Sequence, residues 1–282
     1  MTLTELYKKT ASELKQSLDA READATARLL IDDVLGLSQV KLITDGDRSV
    51  EPETVARFES FTARINSGEP PQYVVGKARF MGNDFIVNPS VLIPRPETEG
   101  LVDMIVDFAS KQSDLKILDL GTGSGCIAVS LARALPFANV TAIDNSQQAL
   151  DIARKNADRL APTVNTIFAD IFDLPQSLAP VDIIVSNPPY VADHERQSIE
   201  NRVIDHEPHS ALFVPDDDPL RFYTAIARWA IENSPNAHIF FEINPLYADR
   251  LKSSLQTIGY KEIELSRDIH AKLRYAHVSP SI

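Results

Sequence analysis

The sequence KILDLGTGSG at residues 116–125 joins an apolar run to a loop that contains three glycines. The run predicts a buried strand, and the spacing of apolar residues over 127–135 predicts a helix directly after the loop. Glycines let the backbone approach a ligand closely, and the first turn of a helix offers free N–H groups and a positive dipole. This stretch therefore predicts a strand–loop–helix unit with a nucleotide-type binding site; a turn with a purely structural role is the alternative.

Short apolar runs and amphipathic stretches alternate on both sides of this unit. Besides 116–120, the runs that predict strands lie at residues 140–143, 165–168, 182–185 and 238–243. Strands separated by helices predict a parallel sheet with helices on both faces, which places the chain in the α/β class. Two later runs predict further strands whose direction the sequence does not determine; they lie at 262–265 and 274–278.

The chain before residue 70 has a different pattern, with apolar residues at helical spacings of three and four. The Glu-Pro-Pro sequence at 69–71 interrupts it, because proline cannot continue a helix. Extended segments on either side of residues 81–84 then predict a β-hairpin. We therefore predict an N-terminal helical domain over residues 1–70, a linker and β-hairpin over 71–95, and a main domain over 96–282.

The composition argues against several classes of protein. The formal net charge of −12 opposes broad capture of a phosphate backbone, so a nucleic acid is not expected as a direct partner. No apolar run approaches the roughly 18 residues of a membrane span, and residues 1–15 lack the apolar core of a secretory signal. Cys126 is the only cysteine, which excludes an internal disulfide and fits a reducing compartment. We expect a cytoplasmic protein that does not associate with a membrane.

A group of acidic residues and histidines near residue 207 is the candidate for metal binding. Asp205, His206, Glu207 and His209 lack a recognised zinc spacing, which favours a solvent-exposed loop over a metal site. We therefore predict that the chain binds no metal.

The sequence of the glycine loop restricts the kinds of ligand that it can bind. A dinucleotide fingerprint requires its third glycine five residues after the first, where this chain has Cys126. Asp144 ends the next predicted strand at about the spacing of an acid that binds a ribose diol; a cap for the following helix is the alternative. A ribose-bearing ligand without a pyrophosphate fits, and S-adenosylmethionine is such a ligand. The predicted contacts are Gly121, Thr122, Gly123, Ser124, Gly125 and Asp144.

A second motif, Asn187-Pro188-Pro189-Tyr190, follows the strand predicted at 182–185. It falls at the carboxyl edge of the sheet, where open α/β folds bind ligands. The prolines have no N–H groups, so the segment presents carbonyl oxygens, and Asn187 adds a side-chain oxygen. These acceptors suit the two hydrogens of a planar NH2 group, with Tyr190 packed against its plane. We predict Asn187, Pro188 and Tyr190 as catalytic residues and all four as substrate-binding residues; a proline-rich turn is the alternative.

Over nearly its whole length the chain resembles the release factor glutamine methyltransferases of the HemK or PrmC type. Four stretches carry the resemblance: IPRPETE at 93–99, DLGTGSG at 119–125, SNPPY at 186–190 and Glu-Pro at 207–208. The Asn-Pro-Pro-Tyr motif alone is shared with adenine-N6 and other amino methyltransferases, and the Arg-Pro-Glu-Thr-Glu stretch narrows the choice. Two places depart from the family pattern: Asn244, where the family usually has glycine, and residues 214–219, which replace a glycine-bearing turn.

The resemblance implies a class I methyltransferase fold, which is Rossmann-like with a seven-stranded sheet, and an N-terminal helical domain that helps to grip a release factor. It implies methyl transfer from S-adenosylmethionine to the side-chain amide nitrogen, N5, of the glutamine in a Gly-Gly-Gln loop. The glycine loop, Asp144 and Asn187 would bind the donor. Ile171 or Phe172 would cover the adenine of the donor, and an aromatic face favours Phe172. We expect a monomer.

Other functions are compatible with these motifs. A related enzyme would methylate a glutamine of a ribosomal protein, or adenine-N6 in nucleic acid, and the acidic balance disfavours the latter. A catalytically idle adaptor would not need both the glycine loop and the Asn-Pro-Pro-Tyr motif. Arg95 has two interpretations of equal weight: it orients the floor of the site, or it pairs with a carboxylate such as Glu97 or Glu99.

Overall fold

A computed structural model describes residues 1–280 of the chain. The chain divides into two compact units. The first comprises Met1–Lys77 and the short segment Glu200–His206, and the second comprises Ala78–Ile199 and the chain from Glu207 onward. The first unit is therefore discontinuous in sequence.

In the second unit, helices and strands alternate along the chain, as the apolar patterns predicted. The helices are α1 (Leu3–Leu14), α2 (Ala20–Leu35), α3 (Gln39–Thr44), α4 (Pro52–Asn66), α5 (Pro71–Val75), α6 (Pro96–Ala109), α7 (Cys126–Ala134), α8 (Gln147–Leu160), α9 (Asn201–His206), α10 (Arg221–Asn233) and α11 (Ala248–Ile258). The strands are β1 (Lys77–Phe80), β2 (Asn83–Ile86), β3 (Lys116–Leu120), β4 (Asn139–Asp144), β5 (Asn165–Phe168), β6 (Ile183–Ser186), β7 (Val191–Ala192), β8 (Phe213–Val214), β9 (His238–Glu242), β10 (Ile263–Arg267) and β11 (Leu273–Val278). Short 3-10 turns lie at Ile171–Asp173, Gln176–Leu178, Asp193–Ser198, His209–Ala211 and Pro245–Tyr247.

The first unit is helical and consists of α1–α5 and α9. Thr2 and Glu5 form a capping box at the start of α1, and Arg202 of α9 pairs with Glu22 of α2 at 2.7 Å. Pro71 lies in the first turn of α5, where the missing N–H costs no helical hydrogen bond. A short helix thus begins within the Glu-Pro-Pro sequence from which we predicted a linker. The unit has its own core, which includes Leu3, Leu6, Leu14, Leu30, Ile31 and Phe58.

The second unit is built on a seven-stranded sheet with the order β10-β11-β9-β6-β3-β4-β5. The five strands from β9 to β5 are parallel, as predicted, and β11 runs antiparallel to both β9 and β10. One face of the sheet packs against α10 and α11, and the other packs against α6, α7 and α8. The Rossmann-like methyltransferase sheet that the resemblance implied is confirmed. A separate two-stranded sheet, β1 with β2, lies where the sequence predicted a hairpin.

The carboxyl ends of the central parallel strands lie together at one edge of this sheet. They are Leu120 of β3, Asp144 of β4, Ser186 of β6 and Glu242 of β9. The loops that follow these strands carry both sequence motifs, so the topology brings the glycine loop and the Asn-Pro-Pro-Tyr segment to the same crevice.

Among residues 1–280, none of the helices combines the length and apolar character needed to span a bilayer.

Candidate active site

A cavity of about 470 Å³ opens at the carboxyl edge of the central strands. This volume lies within the range of small-molecule sites. Most of the predicted site residues line it, namely Gly121, Thr122, Gly123, Ser124, Asp144, Phe172, Asn187 and Pro189. Three others, Gly125, Pro188 and Tyr190, lie beside it in the same loops and are not part of its wall.

The glycine loop connects β3 to α7 as the sequence predicted. Gly125 precedes α7 with a φ of 79°, and a Cβ atom there would lie 3.2 Å from the Cα of Ala153 in α8. Any larger side chain would therefore strain the backbone and push α8 away from the loop. The loop backbone is fixed so that residues 121–124 face the cavity.

Asp144 holds the loop in place through both carboxylate oxygens. Oδ2 accepts the backbone N–H of Gly123 at 2.9 Å, and Oδ1 accepts that of Ser146 at 2.9 Å. Burial raises the pKa of Asp144, while these hydrogen bonds lower it. The helix that follows is capped by the Ser146 hydroxyl, which accepts from the N–H of Ala149. Asp144 is therefore not itself the cap of α8 and remains turned to the cavity.

Asn156 is a site-supporting residue that our sequence analysis missed. It is fully buried in α8, and its Nδ2 donates to the carbonyl of Ser124 at 2.9 Å and to the carbonyl of Ile86 at 2.9 Å. Its Oδ1 accepts the Ile86 N–H at 2.7 Å. One side chain thus joins the glycine loop, β2 and α8. A polar residue on the apolar face of a predicted helix was the only signal in the sequence.

Asp119, at the end of β3, is a second residue that the sequence analysis did not single out. Its Oδ2 accepts from the Thr122 hydroxyl at 2.6 Å and from the Ala128 N–H at 3.1 Å, and its Oδ1 is buried without a partner among the described residues. Burial raises the pKa of Asp119 to about 7, against the effect of these two hydrogen bonds. The carboxyl fixes the loop from beneath.

Part of the cavity wall is aromatic. Phe172 is half exposed and packs against Phe222 with tilted rings at a centroid separation of 5.0 Å, and the Arg221 guanidinium lies 4.5 Å from the Phe172 ring centre. Ile171, which is buried, also lines the cavity. Both candidates for the residue that covers an adenine therefore face the same space. The guanidinium of Arg221 keeps one face of the Phe172 ring occupied.

Hydrogen bonds hold the Asn-Pro-Pro-Tyr segment in place where it follows β6. The Ser186 hydroxyl donates to the carbonyl of Leu120 at 2.6 Å, which ties the start of the segment to β3. Asn187 Nδ2 donates to the hydroxyl of Thr98 at 3.2 Å, and the Tyr190 hydroxyl donates to Glu242 at 3.1 Å. The resemblance motif that contains Thr98 thus meets the Asn-Pro-Pro-Tyr segment directly.

Asn244, which departs from the family pattern, has a definite role in the structure. Its Nδ2 donates to the carbonyl of Tyr190 at 3.1 Å and to a carboxylate oxygen of Glu195 at 3.0 Å, and its Oδ1 accepts the N–H of Leu246 at 3.0 Å. The side chain holds the end of the Asn-Pro-Pro-Tyr segment, a contact that glycine could not make. The other departure, residues 214–219, includes Val214 of β8, which pairs with β7.

Glu207 corrects one expectation from the sequence and identifies the carboxylate that pairs with Arg95. We expected a solvent-exposed loop, yet Glu207 is only 4% exposed and accepts the Ile93 N–H at 3.1 Å and the Arg95 guanidinium at 2.5 Å. Arg95 pairs with this carboxylate rather than with Glu97 or Glu99. A buried carboxylate needs such partners, because an unpaired charge in the interior is costly. Arg95 also lines the cavity, so the pair fixes one of its walls.

The arrangement can hold a polar ligand of moderate size against the glycine loop and Asp144, beside a segment that presents oxygen acceptors. Groups that form a reactive serine or cysteine pair are not among the residues that line the cavity within the described chain; Cys126 is buried, and burial raises its pKa to about 12. What these residues can do is position a bound group and polarise it through hydrogen bonds.

Two family models match the chain. A Methyltransferase small domain matches residues 101–211, and a PrmC N-terminal domain matches residues 5–76.

Curated relatives match almost the whole chain. A release factor glutamine methyltransferase of Bacteroides thetaiotaomicron is 41% identical over 93% of this chain and 95% of its own length. One from Flavobacterium psychrophilum is 38% identical over 94% of this chain and 95% of its own. Among solved structures, the hMettl16 catalytic domain in complex with a MAT2A 3′UTR hairpin is similar with a TM-score of 0.60 at 14% identity, over 89% of this chain and 88% of that one. This last likeness is one of fold.

Proposed function

This chain belongs to the release factor glutamine methyltransferase family, and from this we propose that it methylates the side-chain amide nitrogen, N5, of the glutamine in the Gly-Gly-Gln motif of peptide chain release factors. The observation that carries the proposal is the position of Asn187. Its side chain lines the same cavity as the glycine loop and Asp144. A methyl donor and an amide NH2 group would thus meet in one space.

The cavity fits S-adenosylmethionine as the methyl donor. Gly121–Ser124 would face its amino-acid part with backbone groups, Asp144 would accept from its ribose, and Phe172 or Ile171 would cover its adenine; all line the cavity. A volume of about 470 Å³ is ample for one such molecule. When bound, the donor supplies a methyl group on a positively charged sulfur.

The side chains of this protein would act on the acceptor. An amide nitrogen is a poor nucleophile because its lone pair is delocalised into its carbonyl. Asn187 Oδ1 and the backbone carbonyl of Pro188 would accept the two N–H hydrogens, which raises the electron density on nitrogen and aims its lone pair. Tyr190 would pack against the amide plane. A strong base is not required before the attack, because the group to be attacked is already electrophilic. The methylated nitrogen would then release one of its two hydrogens as a proton to water.

We propose further that the helical unit grips the release factor and that the protein acts as a monomer in the cytoplasm. The match of residues 5–76 to a PrmC N-terminal domain supports the first point. The formal net charge of −12 supports a protein acceptor over a nucleic acid. We keep the domain limits 1–70, 71–95 and 96–282 as a working proposal for truncation experiments.

The experiment is to incubate the purified protein with labelled S-adenosylmethionine and, in separate reactions, a release factor, ribosomal proteins or DNA, and to map the modified atom by mass spectrometry. We expect one methyl group on the glutamine of the Gly-Gly-Gln motif, and none when that glutamine is replaced by glutamate. Label on a ribosomal protein or on adenine in place of the release factor would overturn the proposal.

Asn187→Ala tests the role of the acceptor-binding segment. We expect turnover to fall by roughly 10²–10³-fold, because an aligned polar group at the reacting atom is lost, with little change in the Kd of the donor. Asn139→Ala, at an exposed asparagine that begins β4, is the matched control and should behave as the wild type. Equal losses of donor affinity and turnover in Asn187→Ala would contradict the assignment.

A further inference from the structure

A buried carboxylate lies behind the segment that carries Asn187. Glu242 is 1% exposed, and its two oxygens accept hydrogen bonds from different elements. Oε2 accepts from the hydroxyl of Thr98 in α6 at 2.6 Å, and Oε1 accepts from the hydroxyl of Tyr190 at 3.1 Å. The backbone carbonyl of Glu242 is held as well, by the hydroxyl of Tyr223 at 3.0 Å. Both oxygens therefore have fixed positions and fixed partners.

The hydrogen bond from Thr98 to Glu242 determines which kind of group can bond to the other side of the Thr98 hydroxyl. Burial raises the pKa of Glu242, while the hydrogen bonds from Thr98 and Tyr190 lower it. In its ionised form the carboxylate can only accept, so the single hydrogen of the Thr98 hydroxyl points at Glu242. What Thr98 presents on its other side is a lone pair. Asn187 Nδ2 lies 3.2 Å from that oxygen, and only an N–H donor satisfies the contact.

This polarity settles which way round the Asn187 amide sits. The oxygen and nitrogen of an asparagine side chain are distinguished by their hydrogen-bond partners rather than by shape. With the NH2 end bound to Thr98, Oδ1 is turned away from Thr98. An inverted amide would bring its oxygen against the lone pairs of Thr98, and a buried contact between two acceptors is unfavourable.

We propose that Glu242 and Thr98 are positioning residues for methyl transfer, which fix the Asn187 amide with its oxygen toward the acceptor nitrogen. This inference rests on the proposed function. We call Glu242, Thr98 and Asn187 the relay. Because the relay turns the Asn187 oxygen toward the substrate, it favours a methyl acceptor that donates N–H hydrogen bonds. An inverted amide would present its own NH2 group to that substrate, and two N–H donors cannot bond to each other. Glu242 holds Tyr190 by the same carboxylate, so the two ends of the Asn-Pro-Pro-Tyr segment share one anchor.

The relay also explains why the Arg-Pro-Glu-Thr-Glu stretch accompanies the Asn-Pro-Pro-Tyr motif in this chain. Thr98 is 89 residues from Asn187 and 144 from Glu242 in sequence, yet its hydroxyl joins them. Thr98 is 3% exposed, so solvent does not compete for the contact. The side chain that lies between the two motifs is thus a functional part of the site rather than a helix-start residue alone.

The test uses the full-length protein with Thr98→Val, which keeps the shape of the side chain and removes the hydroxyl. We expect kcat to fall by about 100-fold, by analogy with loss of one aligned polar group, while the donor Kd stays within about twofold. Thr98→Ser retains the hydroxyl and should restore kcat to near the wild-type value. Thr257→Val in α11 makes the same chemical change at a threonine that does not line the cavity and should leave kcat unchanged.

A double variant separates action through Asn187 from a general loss of structure. If Thr98 acts through Asn187, Thr98→Val should add little to the loss already caused by Asn187→Ala. Losses that multiply in the double variant, a donor Kd that rises in parallel with the fall in kcat, or a serine that fails to restore turnover would each overturn the proposal.

An NMR measurement tests the relay without any acceptor. The side-chain NH2 signal of Asn187, identified by its loss in Asn187→Ala, should show an Overhauser contact to the Thr98 methyl group in the wild type. Absence of this contact in a protein that methylates release factors would overturn the relay alone. The contact in a protein that does not methylate release factors would overturn the proposed function alone.

Discussion

Replacement of Asn156 by alanine should weaken both the fold and the donor site. The side chain is fully buried and makes three hydrogen bonds, to the carbonyl of Ser124 and to the N–H and carbonyl of Ile86. At about 1 kcal/mol for each net hydrogen bond, the free energy of unfolding should fall by roughly 3 kcal/mol. For a domain of this size the Tm would then fall by roughly 6–12 °C.

The donor site should respond because Ser124 belongs to the glycine loop. We expect the donor Kd to rise about tenfold, equivalent to about 1.4 kcal/mol, as the loop loses its anchor to α8. Calorimetric unfolding measures the Tm, and isothermal titration with the donor below the new Tm measures the Kd.

The matched control for this prediction is Lys155→Ala, at the exposed neighbouring position of α8, which should change neither quantity. Asn156→Asp keeps an acceptor for the Ile86 N–H but loses both donated bonds and buries a charge, so it should be at least as damaging. A Tm of Asn156→Ala within about 2 °C of wild type, with an unchanged donor Kd, would refute the reasoning.

Two further predictions concern an aromatic residue and a histidine pair. Phe172→Ala should raise the donor Kd about fivefold through loss of a stacking contact worth about 1 kcal/mol, measured by titration; a loss confined to Ile171→Ala would assign the adenine face to Ile171 instead. His238 Nδ1 lies 3.0 Å from His277 Nε2, and burial lowers the pKa of both imidazoles, while Glu264 raises that of His277. Because the unfolded chain then binds protons more readily, the Tm should fall as the pH falls below about 6.5, and His238→Asn should flatten this dependence; an equally steep profile in that variant would contradict the assignment.

The arrangement of the sheet could be predicted because its information is local. Each parallel strand reads as an apolar run between polar turns, and the alternation with helices then determines a covered parallel sheet. The direction of β10 and β11 could not be predicted, since antiparallel and parallel strands share the same apolar pattern. Several residues that line the cavity could be predicted from two motifs, because both motifs follow strands that end at one edge.

The residues that support the site could not be predicted, because their partners are distant in sequence. Glu207 was expected in a solvent-exposed loop, yet it forms hydrogen bonds with residues more than a hundred positions earlier. The sequence around Glu207 does not indicate that Arg95 is its partner. Asn156 and Glu242 are likewise polar residues in apolar surroundings, a pattern that indicates a buried partner without naming it. The role of such residues depends on tertiary contacts, which the periodicity of the sequence does not reveal.

The discontinuity of the helical unit constrains how the chain matures during synthesis. Helix α9 completes that unit, yet it is synthesised only after the seven strands β1–β7 have been made. At about 5–20 residues per second, the ribosome needs on the order of ten seconds to reach α9 after α5. Until α9 has been synthesised, Glu22 lacks its ion-pair partner Arg202, and the helical unit lacks one of its helices. The two units are therefore synthesised in an interleaved order, and a fragment that stops after α5 lacks the ion pair between Arg202 and Glu22.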